Sequence, residues 1–385
     1  MKILYYCQHV LGIGHFHRST EICRALSDRH EVTMVVGGPD VSSDELPFTL
    51  FQLPCLKMDD NFNGLEPCSP GPSLESIKQD RTRRLLDFYD SYTPDAVIME
   101  LYPFGRKAFR FELDPLLARI REDSRKCRVF CSLRDILVEK KEGREKFEKR
   151  AVDTLNTWFD ALFIHADPAM VKLDQTFARV DEIAVPVYYT GFITPKPTKS
   201  ARKRIRQEYG AGTNKRQLIV ASIGSGSVGG DLLLATARAA ALLHDQGADN
   251  ILQIFTGPYL EESISEKLLA LQSNRIRVSK YANNFIDWLA AADLSVSMAG
   301  YNTFMNSLAA GVPSLMHPFQ QNREQRMRIN AIKNGTSIRL LENADLAPQK
   351  FADLLREGLC WERYTSPVKL DGAERTANLV ETIEI

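Results

Sequence analysis

The chain is 385 residues long, and 44% of its residues are hydrophobic while 25% are charged. A single hydrophobic core stops growing near ~250–300 residues, so this length predicts two domains. The 49 Lys and Arg residues balance 49 Asp and Glu residues, and the net charge of zero excludes the general electrostatic attraction used by nucleic-acid-binding proteins. We therefore expect no nucleic acid partner.

Cysteine spacing and hydropathy predict a cytoplasmic protein. The seven cysteines are scattered without a Cys-x-x-Cys pair, which fits a reducing compartment better than a disulfide framework. The first apolar run, 3–7, is interrupted by Gln8 and His9 and is followed by no small-residue cleavage site, unlike a signal peptide. No apolar run approaches the ~18 residues of a membrane-spanning helix. Peripheral contact with the inner face of a membrane needs no such run and stays open.

Short apolar strands alternate with helical patterns along the whole chain. In the first half we predict strands at 3–7, 32–36, 49–53, 96–99, 128–131, 161–164 and 187–190, with helices such as 16–27, 74–92 and 107–123 between them. In the second half we predict strands at 218–222, 251–255, 276–279, 294–297, 314–317 and 337–340, with helices at 232–246, 261–271, 285–292, 303–310 and 323–334. The basic runs 81–84 and 202–206 are predicted to lie on solvated helix faces.

This alternation predicts two Rossmann-like, doubly wound α/β domains. Two prolines within 194–200 suppress helix formation and favour a stiff linker. We therefore place an acceptor-binding domain at 1–194 and a donor-binding domain at 195–370, with a last helix at 371–385 that can pack back on the first domain. Ligands of open α/β sheets bind at the carboxyl ends of the strands, and we expect these ends to face a central cleft. The irregular segment 54–73 is predicted to be a functional surface loop.

A glycine-rich turn follows the first strand of the second domain, with the sequence Gly224-Ser225-Gly226-Ser227-Val228-Gly229. The spacing is that of the dinucleotide fingerprint, but the next strand ends in Phe-Thr-Gly-Pro without the acid that would hold a ribose. That absence disfavours a nicotinamide-dependent dehydrogenase. Small residues at a helix N-terminus let backbone N–H groups approach a phosphate, so the turn predicts a pyrophosphate site.

A second glycine-rich turn, ending in Gly14 and His15, follows the first strand of the chain. Histidine titrates near neutral pH and can remove a proton from an attacking hydroxyl, so we predict His15 as a general base, with His17 as the alternative. Glu100 follows the strand 96–99 and is predicted to orient His15 or to contact the acceptor. No Asp-x-Asp pair occurs, and no third strong ligand accompanies the histidines, so we predict neither a metal nor a cofactor.

The second half resembles the donor-binding half of the GT-B glycosyltransferases. The resemblance begins in the helix 285–292 and continues through Met298-Ala299-Gly300-Tyr301-Asn302-Thr303, Ala309-Ala310-Gly311-Val312-Pro313 and Pro318-Phe319 to Asn322-Arg323-Glu324-Gln325. This order is similar to that of the MurG-like enzymes of glycosyltransferase family 28, which add N-acetylglucosamine to the peptidoglycan lipid intermediate. The two glycine-rich turns resemble the two Gly-rich loops of that family, and the first half of the chain otherwise matches it thinly.

The resemblance implies a donor site and a catalytic base. The residues that would surround the nucleotide and its phosphates are Gly14, Gly224, Ser225, Gly226, Ser227, Ala299, Gly300 and Thr303. Glu324 and Gln325 would bond hydroxyls of the donor sugar, and His15 would be the base or its structural neighbour. Asn306 stands where the family usually carries a Glu that grips the ribose, and Glu324 is acidic where relatives often have Gln. Both departures leave the base and the sugar of the donor open.

We therefore expect a hexosyltransferase that moves a sugar from a nucleotide diphosphate donor, most simply a UDP-sugar, to an acceptor hydroxyl. The resemblance implies inversion at the anomeric carbon, and the motifs predict no requirement for a metal. The acceptor is lipid-linked or a small molecule. Two alternatives stay open. A sugar-nucleotide 2-epimerase of the non-hydrolysing type would form product without an acceptor, and a non-catalytic nucleotide-sugar binding module would bind donor without transferring it.

Overall fold

The computed structural model describes residues 1–9, 14–39, 45–58, 64–137, 142–209, 216–224, 226, 228–282, 284–319, 323–332 and 334–383. The chain forms two compact units. Unit 1 comprises Met1–Ile193 and Asp371–Ile385, and unit 2 comprises Thr194–Leu370. The backbone therefore passes between the units twice, after residue 193 and after residue 370.

Unit 1 is built on a parallel sheet of seven strands. Its strands in chain order are β1 (Lys2–Tyr6), β2 (Glu31–Val36), β3 (Thr49–Gln52), β4 (Leu56–Met58), β5 (Leu65–Pro67), β6 (Ala96–Glu100), β7 (Arg128–Arg134), β8 (Ala161–His165) and β9 (Val187–Tyr189). The sheet has the order β3-β2-β1-β6-β7-β8-β9, and β4 and β5 form a separate antiparallel pair. The central strands are almost wholly buried, as is usual where helices cover both faces of a parallel sheet.

Among the described residues of unit 1, four α-helices lie between strands of this sheet in chain order. They are α1 (Gly14–Ser27), α2 (Leu74–Tyr92), α3 (Arg110–Glu122) and α4 (Arg144–Trp158). Ser73 caps α2, since its side chain accepts a hydrogen bond from the Ser76 N–H. The helices α1 and α2 agree with the predicted 16–27 and 74–92, because each carries an apolar stripe at helical spacing.

Unit 2 repeats the design with a six-stranded parallel sheet. Its strands are β10 (Gln217–Ser222), β11 (Asn250–Phe255), β12 (Ile276–Ser279), β13 (Leu294–Met298), β14 (Ser314–His317) and β15 (Ile338–Leu340), in the order β12-β11-β10-β13-β14-β15. Its helices are α5 (Ala201–Glu208), α6 (Gly230–Asp245), α7 (Glu262–Ala270), α8 (Phe285–Ala291), α9 (Tyr301–Ala310), α10 (Arg323–Ile332) and α11 (Pro348–Gly358). The predicted fold class, two doubly wound α/β domains, is confirmed.

The last helix, α12 (Gly372–Thr382), belongs to unit 1 and packs against α1. Ala377 and Val380 are buried in the same cluster as Ile22 and Leu26. Gly372 begins α12 where its N–H donates to the Phe192 carbonyl at 3.0 Å. A Cβ at position 372 would lie only 2.3 Å from a backbone oxygen, so the close approach of the two segments requires glycine.

The strand orders place one topological switch point in each unit. In unit 1 the chain leaves β1 on one side towards β2 and returns on the other side at β6. In unit 2 the same change of direction lies between β10 and β13. The loops at the carboxyl ends of the two strands diverge at such a point and leave a crevice, which is where open α/β sheets bind ligands.

The described parts of the segment 54–73 contain regular structure that its composition did not predict. Within it β4 and β5 pair, with Leu56 opposite Pro67. Cys55 and Cys68 form a disulfide across this hairpin, with Cα atoms 5.5 Å apart. The cysteine spacing had favoured a reducing compartment over a disulfide framework, and it could not show that a hairpin brings these two cysteines together.

Arg81 does not lie on a solvated face, as predicted for the basic run 81–84. Its side chain is fully buried, and its guanidinium donates to both oxygens of Glu112 at 2.6 and 2.8 Å. It also donates to the Gln8 side chain at 2.8 Å and to the carbonyls of Gly37 and Pro54 at 3.1 and 2.6 Å. The prediction failed because Arg81 shares the buried stripe of α2 with Ile77 and Leu85, four residues away on either side.

No described helix combines the length and the apolar character that crossing a membrane requires.

Candidate active site

The structure brings His15 and Glu100 into contact at the switch point of unit 1. Glu100 is the last residue of β6, and His15 is the second residue of α1, which follows β1 after the undescribed residues 10–13. Nδ1 of His15 lies 2.6 Å from Oε1 of Glu100. Gly14 begins α1 beside this pair, whereas Gly12 lies outside the described residues. Two residues 85 positions apart in the chain thus form one site.

Glu100 is buried and surrounded by donors. It is 1% exposed, and it accepts hydrogen bonds from Nη2 of Arg18 at 2.9 Å and from Nη2 of Arg106 at 2.7 Å. Burial alone would raise the pKa of Glu100, but His15, Arg106 and Arg18 outweigh it and hold the pKa well below its usual range. The carboxylate is therefore ionised at neutral pH.

The ionised carboxylate fixes the tautomer of His15. Because it can only accept, the 2.6 Å contact assigns the proton to Nδ1 and leaves the lone pair on Nε2. Nη2 of Arg18 also lies 3.0 Å from Nδ1, but arginine has only donors, so we assign its hydrogen bond to Glu100. Burial, together with the charges of Arg106 and Arg18, lowers the pKa of His15 to about 4 despite Glu100. A neutral imidazole that keeps 22% of its side-chain surface exposed can accept a proton at Nε2.

The neighbouring histidines do not share this geometry. Nε2 of His9 contacts the Pro39 carbonyl at 2.8 Å, and the His9 ring packs edge-on against Phe16. His17 is exposed and also packs edge-on against Phe16. Across the described ranges, no three His, Cys, Asp or Glu side chains are grouped so that they could hold a metal ion.

Two members of the site, Arg18 and Arg106, were missed in the sequence. Arg18 had a usable signal, because it lies three residues after His15 and therefore on the same face of α1. Arg106 had none. It precedes a short helical turn and reaches back to Glu100 because its backbone is left-handed, with φ 58° and ψ 23°.

The predicted pyrophosphate turn lies at the switch point of unit 2. Gly224, Gly226 and Gly229 follow β10 with φ values of +70°, +95° and +99°, and Gly229 caps the 16-residue helix α6. L side chains rarely adopt such values, which explains the glycines. Ser225 and Ser227 lie outside the described residues. The turn therefore ends at a helix N-terminus, whose N–H groups and dipole attract a phosphate.

Replacing Gly226 with alanine should destabilise unit 2 more than replacing Gly224. A Cβ at 226 would lie 2.6 Å from the Thr256 carbonyl and 2.8 Å from the Leu260 nitrogen, whereas one at 224 meets nothing within 4 Å. We expect Gly226→Ala to lower the free energy of unfolding by about 3 kcal/mol and Gly224→Ala by about 1–2 kcal/mol. Urea denaturation of both variants measures the difference, and equal losses would contradict the packing described here.

A second loop reaches the same switch point from β13. Ala299 is buried and its N–H donates to the His317 carbonyl at 3.3 Å. Gly300 is the N-cap residue of α9, and Thr303 lies in the first turn of that helix rather than at its cap. The N-termini of α6 and α9 thus both follow strands that flank the switch point, and both can face one anionic ligand.

The other predicted donor residues lie on α9 and α10. Asn306 accepts at Oδ1 from the Thr194 hydroxyl at 2.8 Å, and Gln325 accepts at Oε1 from the Phe319 N–H at 2.8 Å. Glu324 lies in the first turn of α10, with Oε2 3.8 Å from the buried guanidinium of Arg328. The amide oxygens of Asn306 and Gln325 therefore both accept hydrogen bonds within unit 2.

Comparison with known proteins finds a family whose sequence pattern part of unit 2 matches. Residues 220–360 match the model of the glycosyltransferase family 28 C-terminal domain. A 124-residue stretch is 30% identical to the UDP-N-acetylglucosamine--N-acetylmuramyl-(pentapeptide) pyrophosphoryl-undecaprenol N-acetylglucosamine transferase of Proteus mirabilis (strain HI4320). This stretch covers 29% of the chain and 34% of that relative, so the chain matches about a third of the relative's length.

Solved structures resemble the whole chain in fold. Acinetobacter baumannii MurG has a TM-score of 0.57 at 11% identity, and the likeness covers 100% of both chains. Anabaena HepE, in complex with UDP-glucose, has a TM-score of 0.55 at 14% identity, covering 98% of this chain and 94% of that one. The resemblance predicted from the motifs is thus confirmed. Residues 220–360, which include the glycine-rich turn at 224–229, the loop at Gly300 and α10, match the glycosyltransferase family 28 C-terminal domain, and the chain as a whole has the GT-B fold.

Proposed function

We propose that this protein is a glycosyltransferase that moves a hexosyl group from a nucleotide diphosphate sugar to an acceptor hydroxyl. The observation that carries the proposal is the His15–Glu100 pair. A module that only binds nucleotide-sugar has no use for a neutral imidazole whose Nδ1–H is held by a buried, ionised carboxylate. That arrangement is the one expected of a general base.

The donor is proposed to bind unit 2. Its diphosphate would lie at the N-termini of α6 and α9, where backbone N–H groups and helix dipoles stabilise the charge that grows on the leaving group. These two helix ends perform the task that a bound cation performs in metal-dependent transferases, so we propose a metal-independent reaction. A UDP-sugar is the first candidate, because the Proteus relative is named for UDP-N-acetylglucosamine and the Anabaena structure holds UDP-glucose.

The acceptor hydroxyl is proposed to be activated in unit 1. Nε2 of His15 removes its proton as the oxygen attacks the anomeric carbon, and Glu100 stabilises the imidazolium that forms. Attack on the face opposite the leaving diphosphate inverts the anomeric configuration. The name of the Proteus relative specifies a lipid-linked pyrophosphoryl acceptor, so lipid-linked acceptors are the first class to test, with the protein at a membrane surface, followed by small molecules.

A thermal-shift panel of UDP-, GDP-, dTDP- and ADP-sugars, each with and without EDTA, tests the proposal. A ligand at 100 times its dissociation constant stabilises the folded protein by ~2.7 kcal/mol, which is readily measured. We expect one UDP-sugar to stabilise the protein equally with and without EDTA. That sugar is then used in a search for acceptors. Stabilisation that EDTA abolishes would refute metal independence, and no stabilisation by any sugar would refute the proposed donor site.

Incubation of the bound donor without acceptor separates the remaining alternatives. A transferase should return the donor unchanged or hydrolyse it slowly. Conversion of the donor to its C2 epimer would identify an epimerase instead. Tight binding with neither transfer to any acceptor nor hydrolysis would identify a binding module.

A further inference from the structure

Arg106 contacts the site from a segment that the reaction described above does not use. It follows β6 by six residues, and its side chain is 9% exposed. Nη2 donates to Oε2 of Glu100 at 2.7 Å, while His15 and Arg18 both contact the other oxygen, Oε1. Nε of Arg106 is buried and has no hydrogen-bond partner. Within the described residues, Glu100 is therefore the group to which the Arg106 side chain donates a hydrogen bond.

The backbone at position 106 is strained in a way that glycine would relieve. Arg106 has φ 58°, and Leu101 at the start of the same loop has φ 68°. A side chain in the left-handed region costs roughly 1–2 kcal/mol relative to glycine. Strain of this kind persists where the surrounding structure enforces it and where a side chain has a task. Because this residue is an arginine where glycine would be unstrained, we infer that its guanidinium has a functional role.

The loop that leads from β6 to Arg106 is held by backbone hydrogen bonds and by packing. The Leu101 N–H donates to the Ser132 carbonyl at 2.8 Å, and the Gly105 N–H donates to the Leu101 carbonyl at 2.8 Å. Phe104 is buried and packs edge-on against Phe177. Arg106 is thus presented to Glu100 by a packed segment rather than by a mobile one.

We propose that Arg106 is a positioning residue for the transfer reaction, which it serves by holding Glu100 so that Oε1 faces Nδ1 of His15. With Oε2 bound by Arg106, the carboxylate cannot rotate away from the imidazole, and the Nδ1–H tautomer is maintained. This inference rests on the proposed role of His15 as the base. It assigns to Arg106 an effect on the rate of the chemical step and none on donor binding.

The charge of Arg106 acts on His15 together with a small set of groups. Arg106 and Arg18 lower the pKa of His15, and Glu100 raises it. Other titratable groups that interact with Glu100 are buried and neutral at pH 7, and they are Tyr5, Cys7, Cys131 and His165. Removing Arg106 takes away a positive charge, so the pKa of His15 should rise and the acidic limb of the pH–rate profile should move to higher pH.

The first test is the variant Arg106→Gly, which removes the guanidinium and relieves the backbone at the same time. We expect kcat to fall roughly 10-fold, which is the size of effect seen when a residue that orients a metal ligand by a hydrogen bond is removed. The KM for the donor should not change. The acidic limb should move up by about 1 pH unit or more. Arg106→Lys keeps the charge and should restore part of kcat. Thr93→Gly, which relieves another left-handed residue (φ 52°) at the exposed end of α2, is the matched control and should change neither quantity.

A second measurement needs no turnover. ¹⁵N NMR of the histidine rings, with the His15 signal identified by its loss in His15→Gln, reports the tautomer and the titration midpoint. In Arg106→Gly the midpoint should rise and the Nδ1–H population should fall, while Thr93→Gly stays like the parent protein. Unchanged NMR and an unchanged pH profile in Arg106→Gly would overturn the inference. If the parent protein transfers no sugar, the proposed function fails, and the NMR result still decides the role of Arg106.

Discussion

Replacing His15 with alanine should lower turnover at least ~100-fold while the affinity for the donor stays within about twofold. The expected loss follows from the position of His15, a partly exposed, neutral imidazole whose Nδ1 lies 2.6 Å from a buried carboxylate and whose Nε2 is left to accept a proton. The donor is proposed to bind unit 2, so removing a group of unit 1 should leave its binding intact. Steady-state kinetics give kcat, and calorimetry with the donor alone gives the dissociation constant.

The control and the pH dependence sharpen this test. His17→Ala removes an exposed histidine two residues away whose ring packs against Phe16, and it should keep most of the activity. Because the pKa of His15 lies at about 4, the base is unprotonated at neutral pH, so kcat/KM should stay flat down to about pH 5 and fall below it. An unaltered turnover number in His15→Ala would remove His15 from the catalytic role.

Replacing Arg81 with methionine should lower the free energy of unfolding by about 3–5 kcal/mol. Arg81 and Glu112 are both fully buried and form an ion pair at 2.6 Å. Removing the guanidinium leaves the Glu112 carboxylate buried without its partner, and it also frees the Gln8 side chain and the Pro54 carbonyl that Arg81 holds. Urea denaturation followed by circular dichroism measures the loss.

Two further variants distinguish a buried ion pair from general damage to α2. Arg83→Met removes a neighbouring arginine whose side chain is 62% exposed and paired with Asp80 and Asp87, and it should cost less than about 1 kcal/mol. Glu112→Leu combined with Arg81→Met should restore much of the stability, because no isolated charge stays buried. A double variant as unstable as the sum of the two single ones would contradict this explanation.

Apolar patterning predicted the framework of both units well. Each predicted strand overlaps a strand of the structure, and the predicted 314–317 coincides with β14. The reason is local, since buried parallel strands are short continuous apolar runs that stand out from their surroundings. The hairpin of β4 and β5 was missed because Leu-Lys-Met and Leu-Glu-Pro carry no such run. Its order comes from the Cys55–Cys68 bond and from the Pro54 carbonyl held by Arg81.

The residues of the candidate site also differ in how far a local sequence pattern could predict them. Gly226, Gly300 and His15 could be predicted because glycines and a histidine directly after a strand form a local pattern. Donor binding by Asn306 and Gln325 stays a prediction, and the hydrogen bonds that their amide oxygens accept inside unit 2 could not be read from any local pattern.

The sequence by itself determined the class of fold, the resemblance of the second half to glycosyltransferase family 28 and the positions of the glycine-rich turns, because each depends on a pattern of contiguous residues. The sequence left open whether Glu100 orients His15 or contacts the acceptor, and the tertiary structure decided that Glu100 contacts His15 and that Arg18 and Arg106 complete the site. Those contacts depend on β6 pairing beside β1 and on a left-handed backbone at residue 106. Both depend on the packing of segments that are far apart in the chain. The residues next to each position in the sequence therefore do not predict them.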